Sequence, residues 1–293
     1  MRPKRTARGW RLQIAAEKMT EIQGFGAFAP NRFQAAIIRV TRALPDSWAG
    51  RRLAFVLRRM VTRRLRHPLD VEVFGQRMRL MPFNNVAEKR ILFMPQYFDT
   101  RERAFLARSA HDGYVFIDVG ANVGAYTMFV AGLKLRHARL YAIEPQPDLF
   151  ERLTYNISLN RGQPIKAIAC ALSDVDGEMT LFLHRGNKGQ SSLKVVDWEA
   201  EHGESLQVPT KTLLTLAREE GLERIDAIKV DVEGAEDMIL EPFFREAPQS
   251  LWPKALILED ARQRWRVDCI ALCQELGYRI EVRTKMNVIL VRA

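Results

Sequence analysis

The stretch Tyr114-Val-Phe-Ile-Asp-Val-Gly-Ala-Asn-Val-Gly-Ala-Tyr126 decides the fold. An apolar run ends in Asp118, turns at Gly120 and passes Gly124 into a segment with helical apolar spacing. A short run rich in β-branched and aromatic residues reads as a buried strand. Glycines behind it permit a tight turn and close approach of backbone to a ligand. The free amides opening the next helix favour a negatively charged group. A dinucleotide site would carry G-x-G-x-x-G, whereas three residues separate Gly120 from Gly124 here. Asp118 would repel a pyrophosphate and attract an ammonium group. By itself such a turn is also compatible with a purely structural role.

Downstream, apolar strands alternate with amphipathic helices. Strands are expected over 114–119, 139–143, 165–170, 225–231, 255–260, 278–282 and 287–291, with helices near 124–135, 147–160, 211–220, 234–244 and 265–276. That alternation predicts an α/β fold with a mainly parallel, Rossmann-like sheet covered on both faces. The last two strands follow one another without a helix, which predicts an antiparallel pair. Residues 177–209 interrupt the pattern and are expected to form a hairpin and loop near the site.

Upstream, 84–110 reads as mostly helical, and 70–74 and 77–81 alternate around Gly75-Gln76 as a β-hairpin. Helices are expected over 32–44 and 51–66, with partial disorder over 1–30. The chain thus divides into a basic extension (1–66), a hairpin and helical lead-in (67–110) and an α/β domain (111–293).

Charge is unevenly spread. The chain has 45 Lys and Arg against 35 Asp and Glu. Residues 1–66 hold 16 of those basic residues and only three acids, so the remainder, with 29 and 32, is slightly acidic. In the second helix Leu53, Val56, Leu57, Met60, Val61 and Leu65 recur at three- and four-residue spacing among seven arginines. A basic amphipathic helix packs on its own domain, lies on an anionic membrane or acidic glycolipid, or contacts nucleic acid. No apolar run approaches the roughly 20 residues of a transmembrane helix, and no secretory signal is evident. The three cysteines Cys170, Cys269 and Cys273 show no CxxC, which fits buried thiols in a reducing compartment. The expected location is cytoplasmic, with the extension able to meet the inner membrane surface.

Three further motifs carry chemistry. Strand 140–143 ends in Glu144, about 20 residues after the glycine turn, where an acid hydrogen-bonds ribose hydroxyls; a helix-capping acid is the alternative. Ala171-Leu-Ser-Asp174 places Asp174 to accept from an adenine amine, or as an ordinary turn aspartate. In Ile228-Lys-Val-Asp-Val-Glu-Gly-Ala-Glu236, Lys229 and Asp231 share one strand face and Glu233 lies just beyond. A lysine inside a buried strand must be paired or functional. Asp231 or Glu233 could take a proton, or Lys229–Asp231 could be structural with Glu233 capping a helix. The Gly-rich loop Arg185–Ser192 suits a substrate or lid loop or a plain surface turn, Glu259-Asp260 could line the site or hold a metal, and His184 is the one histidine near the loop. No metal site is expected.

Together these motifs resemble the FkbM family of methyltransferases. The matching pieces are Phe116-Ile-Asp-Val-Gly-Ala-Asn-Val-Gly124, Ala142-Ile-Glu-Pro145, Ala171-Leu-Ser-Asp174 and Ile228–Glu236. The hairpin and the segment through Tyr97 also look like the family's lead-in, so the resemblance covers roughly 70–291. It implies a class I methyltransferase fold and transfer of methyl from S-adenosylmethionine to a hydroxyl, often on a sugar, glycolipid or related natural product. By position, Asp118, Gly120, Asn122, Gly124, Glu144 and Asp174 would bind the cofactor. Asp231, Glu233 and Lys229 would sit at the methyl-transfer end. Residues 1–66 have no counterpart in the family core. A nucleic-acid methyltransferase would show a basic crevice and an Asn-Pro-Pro-Tyr-like motif for a flipped base, and neither is visible. A non-catalytic adenosyl-binding or scaffold module remains the rival from another class, against which the intact acids count.

Overall fold

The computed structural model describes residues 23–183, 191–193 and 204–292. Most of the segment expected to be disordered, His184 and residues 185–190 of the Gly-rich loop lie outside the described residues.

Helix α1 (Arg32–Ala43) opens with a capping box: the Asn31 side chain accepts from the Gln34 amide, and the Gln34 side chain accepts from the Asn31 amide. Helix α2 spans Trp48–Thr62, not 51–66, because the Ser47 hydroxyl accepts from the Gly50 amide and starts the helix early. Of its expected apolar face, Val61 and the following Leu65 are buried, while Leu53, Val56 and Met60 are exposed.

Strands β1 (Leu69–Val73) and β2 (Gln76–Leu80) form the expected hairpin. Phe74 and Gly75 both take positive φ, as a two-residue turn of matching twist requires. Across it, Arg79 Nε donates to Asp70 at 2.7 Å in a fully buried pair. The second Asp70 oxygen accepts from the Gly26 and Phe28 amides, which ties the chain before α1 to the hairpin. Helices α3 (Val86–Phe93) and α4 (Thr100–Ser109) complete the lead-in.

The α/β part then runs β3 (Val115–Val119), α5 (Ala125–Gly132), β4 (Arg139–Ile143), α6 (Pro147–Ser158) and β5 (Ile165–Ile168). A second sheet follows, built from β6 (Ala171–Leu172), β7 (Gly177–Leu183), β8 (Ser191–Ser192) and β9 (Glu204–Lys211). The main chain of strands resumes with α7 (Leu213–Glu219), β10 (Ala227–Val230), α8 (Glu236–Glu246), β11 (Ala255–Glu259), α9 (Cys269–Glu275), β12 (Tyr278–Arg283) and β13 (Asn287–Arg292).

The seven-stranded sheet has the order β12-β13-β11-β10-β3-β4-β5. β13 is antiparallel to both neighbours and every other pairing is parallel, as the sequence pattern predicts. Two differences have local causes. The third strand stops at Ile168 because the chain turns there, and Ala171-Leu172 leave to pair with β9. The segment expected as hairpin and loop is part of that separate four-stranded sheet.

Apolar layers fill both faces. One holds Phe93, Phe116 and Met128 with Ala54, Val61 and Leu65, so the N-terminal helices share a core with the sheet. The other lies under α7 to α9, with Leu216, Phe243 and Ile270. Gly120, at φ 76°, presses the turn after β3 against the end of β10; a Cβ there would be driven into the Asp231 carbonyl. That contact is what brings the ends of the two central strands to one place.

Candidate active site

A cleft of about 220 Å³ opens outside the carboxyl ends of the central strands, the position that open α/β sheets offer to ligands. β3 delivers Asp118 and the turn through Asn122, β4 delivers Glu144, β10 delivers Lys229 with Asp231 and Glu233 beyond it, and β11 delivers Glu259.

At one end, Glu144 is buried with each carboxylate oxygen on one backbone amide, Asn122 at 2.9 Å and Gln146 at 2.9 Å. Burial pushes its pKa up to about 7, against the pull of those two amides. Asn122 takes positive φ, and its side-chain oxygen accepts from the Asn85 amide group at 2.8 Å. The lead-in therefore holds the glycine turn directly.

At the centre, Asp118 lies opposite Lys229 in the β3–β10 register. One Asp118 oxygen accepts from the Thr127 amide at 3.0 Å and its hydroxyl at 2.6 Å, which anchors α5 to β3. Burial raises the Asp118 pKa, opposed by Lys229 and the Thr127 bonds. Lys229 donates to Asp231 Oδ2 at 2.7 Å, and the ammonium stands 4.8 Å from the centre of the Tyr126 ring. Burial pulls Lys229 down, but Asp231 and Asp118 outweigh it and hold the pKa above its ordinary value. The two partners differ in access: the Lys229 side chain is 5% exposed and that of Asp231 39%. Asp231 Oδ1 has no hydrogen-bond partner among the described residues.

At the far end, Glu259 is raised to about 8 by burial and by the neighbouring Asp231, Glu233 and Glu236 carboxylates. Its Oε2 is buried without a hydrogen bond among the described residues. Asp260 turns away to Arg262 and Arg283. Glu233, at φ 54°, pairs with Arg264 at 3.5 Å. Glu236, read from sequence only as the end of a motif, is a buried clamp that accepts from Val232, Gly234 and the Trp265 indole.

Asp118, Gly120, Asn122, Glu144, Lys229, Asp231 and Glu233 are thus gathered in one cleft wall. Two expected members stand outside it. Gly124 caps α5 at φ 93°, and a Cβ there would meet Leu153, so its glycine serves helix packing. Asp174 is exposed, with the Ser173 hydroxyl donating to it, while the cleft takes Ala171 and Leu172 from that motif.

The remaining wall comes from residues that strand-end reasoning does not reach. Arg90 pairs with Asp99 at 3.0 Å, and the Tyr126 hydroxyl donates to the second Asp99 oxygen at 3.0 Å. Burial and the nearby Asp99 and Glu102 keep that tyrosine neutral, its pKa well above the ordinary value. Met286 and Asn287 reach the cleft from the final hairpin. The available signals were slight: Asn85 three residues before Glu88 marks a helix start, and Tyr126 is the polar tip on an apolar helix.

Strand order, switch-point cleft and strand-end acids define a Rossmann-like class I methyltransferase. Residues 118–280 match the model of the Methyltransferase FkbM domain, more than half of the 293-residue chain. The chain belongs to the FkbM methyltransferase family. It is 30% identical over 152 residues to methyltransferase sdnD of Sordaria araneosa, covering 43% of this chain and 58% of that protein. It is 28% identical over 145 residues to methyltransferase 1 of Beauveria bassiana, covering 44% and 58%. The matched segment thus spans somewhat over half the length of these curated relatives. Among solved structures, TYW2 of M. jannaschii in complex with AdoMet aligns at TM-score 0.39 and 13% identity, covering 78% of this chain and 88% of that one.

The cofactor of this family is S-adenosylmethionine, and the cleft fits it. Each Glu144 oxygen accepts one amide and keeps lone-pair capacity for a further donor. Asp118 and Asp231 offer carboxylates to a ligand that carries positive charge. No described helix is long and apolar enough to cross a membrane.

Proposed function

We propose that the chain is an O-methyltransferase acting on a hydroxyl of a sugar, glycolipid or related natural product. The observation that carries this reading is the Lys229–Asp231 pair, closed at its ammonium end and open at its carboxylate end. When bound, S-adenosylmethionine supplies an electrophilic methyl on a sulfonium. The acceptor hydroxyl then needs in-line orientation and a place for its proton. Asp231 takes that proton, and Lys229 fixes its rotamer through Oδ2. Glu233 is the less suited base, since Arg264 holds it. The acid-rich wall also supports a neutral or cationic acceptor over a polyanion: Asp99, Asp118, Asp231 and Glu233 face Arg90 and Lys229. Phosphates of nucleic acid would be repelled there.

Incubation with methyl-labelled S-adenosylmethionine and a panel of glycans, glycolipids, tRNA and DNA tests the assignment. The expected product carries an ether-linked methyl that survives alkali. Label confined to nucleic acid, or to nitrogen, would overturn it.

In this reading Glu144 holds the ribose hydroxyls as a carboxylate, while burial sets its free-protein pKa at about 7. Binding then competes with protonation. At pH 6 most of Glu144 is protonated, so cofactor affinity should be about tenfold weaker than at pH 8. Titration calorimetry at the two pH values checks this, and Glu144→Gln should flatten the dependence. The stability sign is the reverse: a carboxyl raised in the fold is favoured protonated, so the free protein loses stability as pH rises from the ordinary carboxylate range towards 7. Equal wild-type affinities at both pH values would remove Glu144 from the binding role.

A further inference from the structure

Ten large apolar side chains stand exposed among the described residues, and seven of them are on α1 and α2: Phe33, Val40, Trp48, Leu53, Phe55, Val56 and Met60. Two of the other three, Val86 and Met286, line the cleft. Trp48 is 76% exposed and Val56 58%, in a protein with ample core elsewhere. Such a concentration marks an interaction surface.

The charges around it fix its chemistry. On α2, residues 52, 59 and 63 share one face at helical spacing, beside the row of Leu53, Val56 and Met60. Arg52, Arg59, Arg63 and Arg64 have no acidic partner among the described residues. The acid nearest in sequence, Asp46, is taken by Arg51 at 2.5 Å. Residues 1–22 add six more Lys and Arg against two acids, so the chain supplies little to neutralise the face. Arg52 stacks over Trp48 and Arg58 over Phe55, pairing cation with aromatic ring. An anionic bilayer meets both halves of this pattern: apolar side chains enter the headgroup boundary while arginines hold the phosphates. A second copy of the chain would bring arginine against arginine.

We propose that the exposed face of α2 docks on an anionic lipid surface. The face adjoins the cleft through α3: Arg58 is half-buried and stands near enough to feel the charge of Arg90, which lines the cleft. Docking stands whether or not the acceptor is itself lipid-linked, because none of the docking residues lies in the cleft.

Sedimentation of the full chain with vesicles of pure phosphatidylcholine, and of phosphatidylcholine with phosphatidylglycerol, tests the proposal. Binding should be confined to the anionic vesicles and weaken with added salt. Two variants separate the α2 face from the basic segment before it: Arg52→Glu/Arg59→Glu/Arg63→Glu and Val56→Asp/Met60→Asp. The first should lose binding roughly a hundredfold, and the second at least roughly tenfold. Both should keep wild-type Tm and S-adenosylmethionine affinity. Undiminished vesicle binding by both folded variants would place the contact on residues 1–22 and overturn the proposal. So would absence of vesicle binding with a dimer, or with duplex DNA binding, that the variants abolish.

Discussion

Asp231→Asn should lower turnover by roughly 10²- to 10⁴-fold, the range expected for loss of a positioned base. The cofactor Kd should move only a few-fold. Asparagine keeps the shape and still offers an oxygen to the Lys229 ammonium, so the geometry of the β10 end persists. What disappears is the ability of the exposed carboxylate to accept the acceptor's proton. The separation of the two effects is the point of the measurement. A residue that merely held the cofactor would raise Kd and leave turnover at saturation nearly intact. Steady-state kinetics on any accepted hydroxyl, beside calorimetry with S-adenosylmethionine, gives both numbers. Unchanged turnover would reject Asp231 as the base.

The second large effect is on stability. Lys229→Met removes the one buried ammonium from between Asp118 and Asp231. Methionine fills much of the volume, so packing against Tyr126 is largely kept. The two carboxylates, with Glu259 close by, lose their compensation. Breaking a buried pair by deleting one partner typically costs 3–5 kcal/mol. Because the Asp231 side chain is 39% exposed, solvent screens part of this, and about 3 kcal/mol is the expected loss. The pH dependence identifies the cause. Lys229 has a raised pKa, so its contribution is fully present below the unfolded value of about 10.4 and fades only as pH rises through the folded one. The lysine's own share should therefore persist to about pH 10 and shrink above it, while Glu259, raised to about 8, widens the deficit between pH 7 and 9 as it ionises without its counter-charge. Denaturant unfolding measures it; a loss below 1 kcal/mol would show that the lysine is not what reconciles these acids.

Legibility from sequence followed the physics of each element. Asp118, Glu144, Lys229 and Asp231 could be placed because a strand's end is marked by its own residues and the sheet points those ends one way. The central strands and the antiparallel final pair were equally visible, since alternation and the missing helix are local signals. The cleft wall from Arg90, Asp99 and Asn85 was not, because those side chains reach the site through tertiary packing of the lead-in. Asp174 looked like a ligand by motif, yet the chain after Cys170 veers into the second sheet and leaves it exposed. The start of α2 was missed for a smaller reason: apolar spacing sees a helix's middle, while Ser47 sets its end.

The close fit of β3 against β10 has a consequence for how the chain is made. The Val115 amide donates to the carboxylate of Asp226, 111 residues later. A ribosome releases Asp118 long before Lys229 exists to face it. Until β10 emerges, β3 has a raw edge and a carboxylate without its counter-ion, so synthesis from the N-terminus leaves the centre of the sheet for late in assembly. The hairpin can close first through Asp70 and Arg79, which are only nine residues apart, and Asp70 also holds the Gly26 and Phe28 amides before α1. The last strands to be made, β12 and β13 at the sheet's edge, then bring Met286 and Asn287 to the cleft.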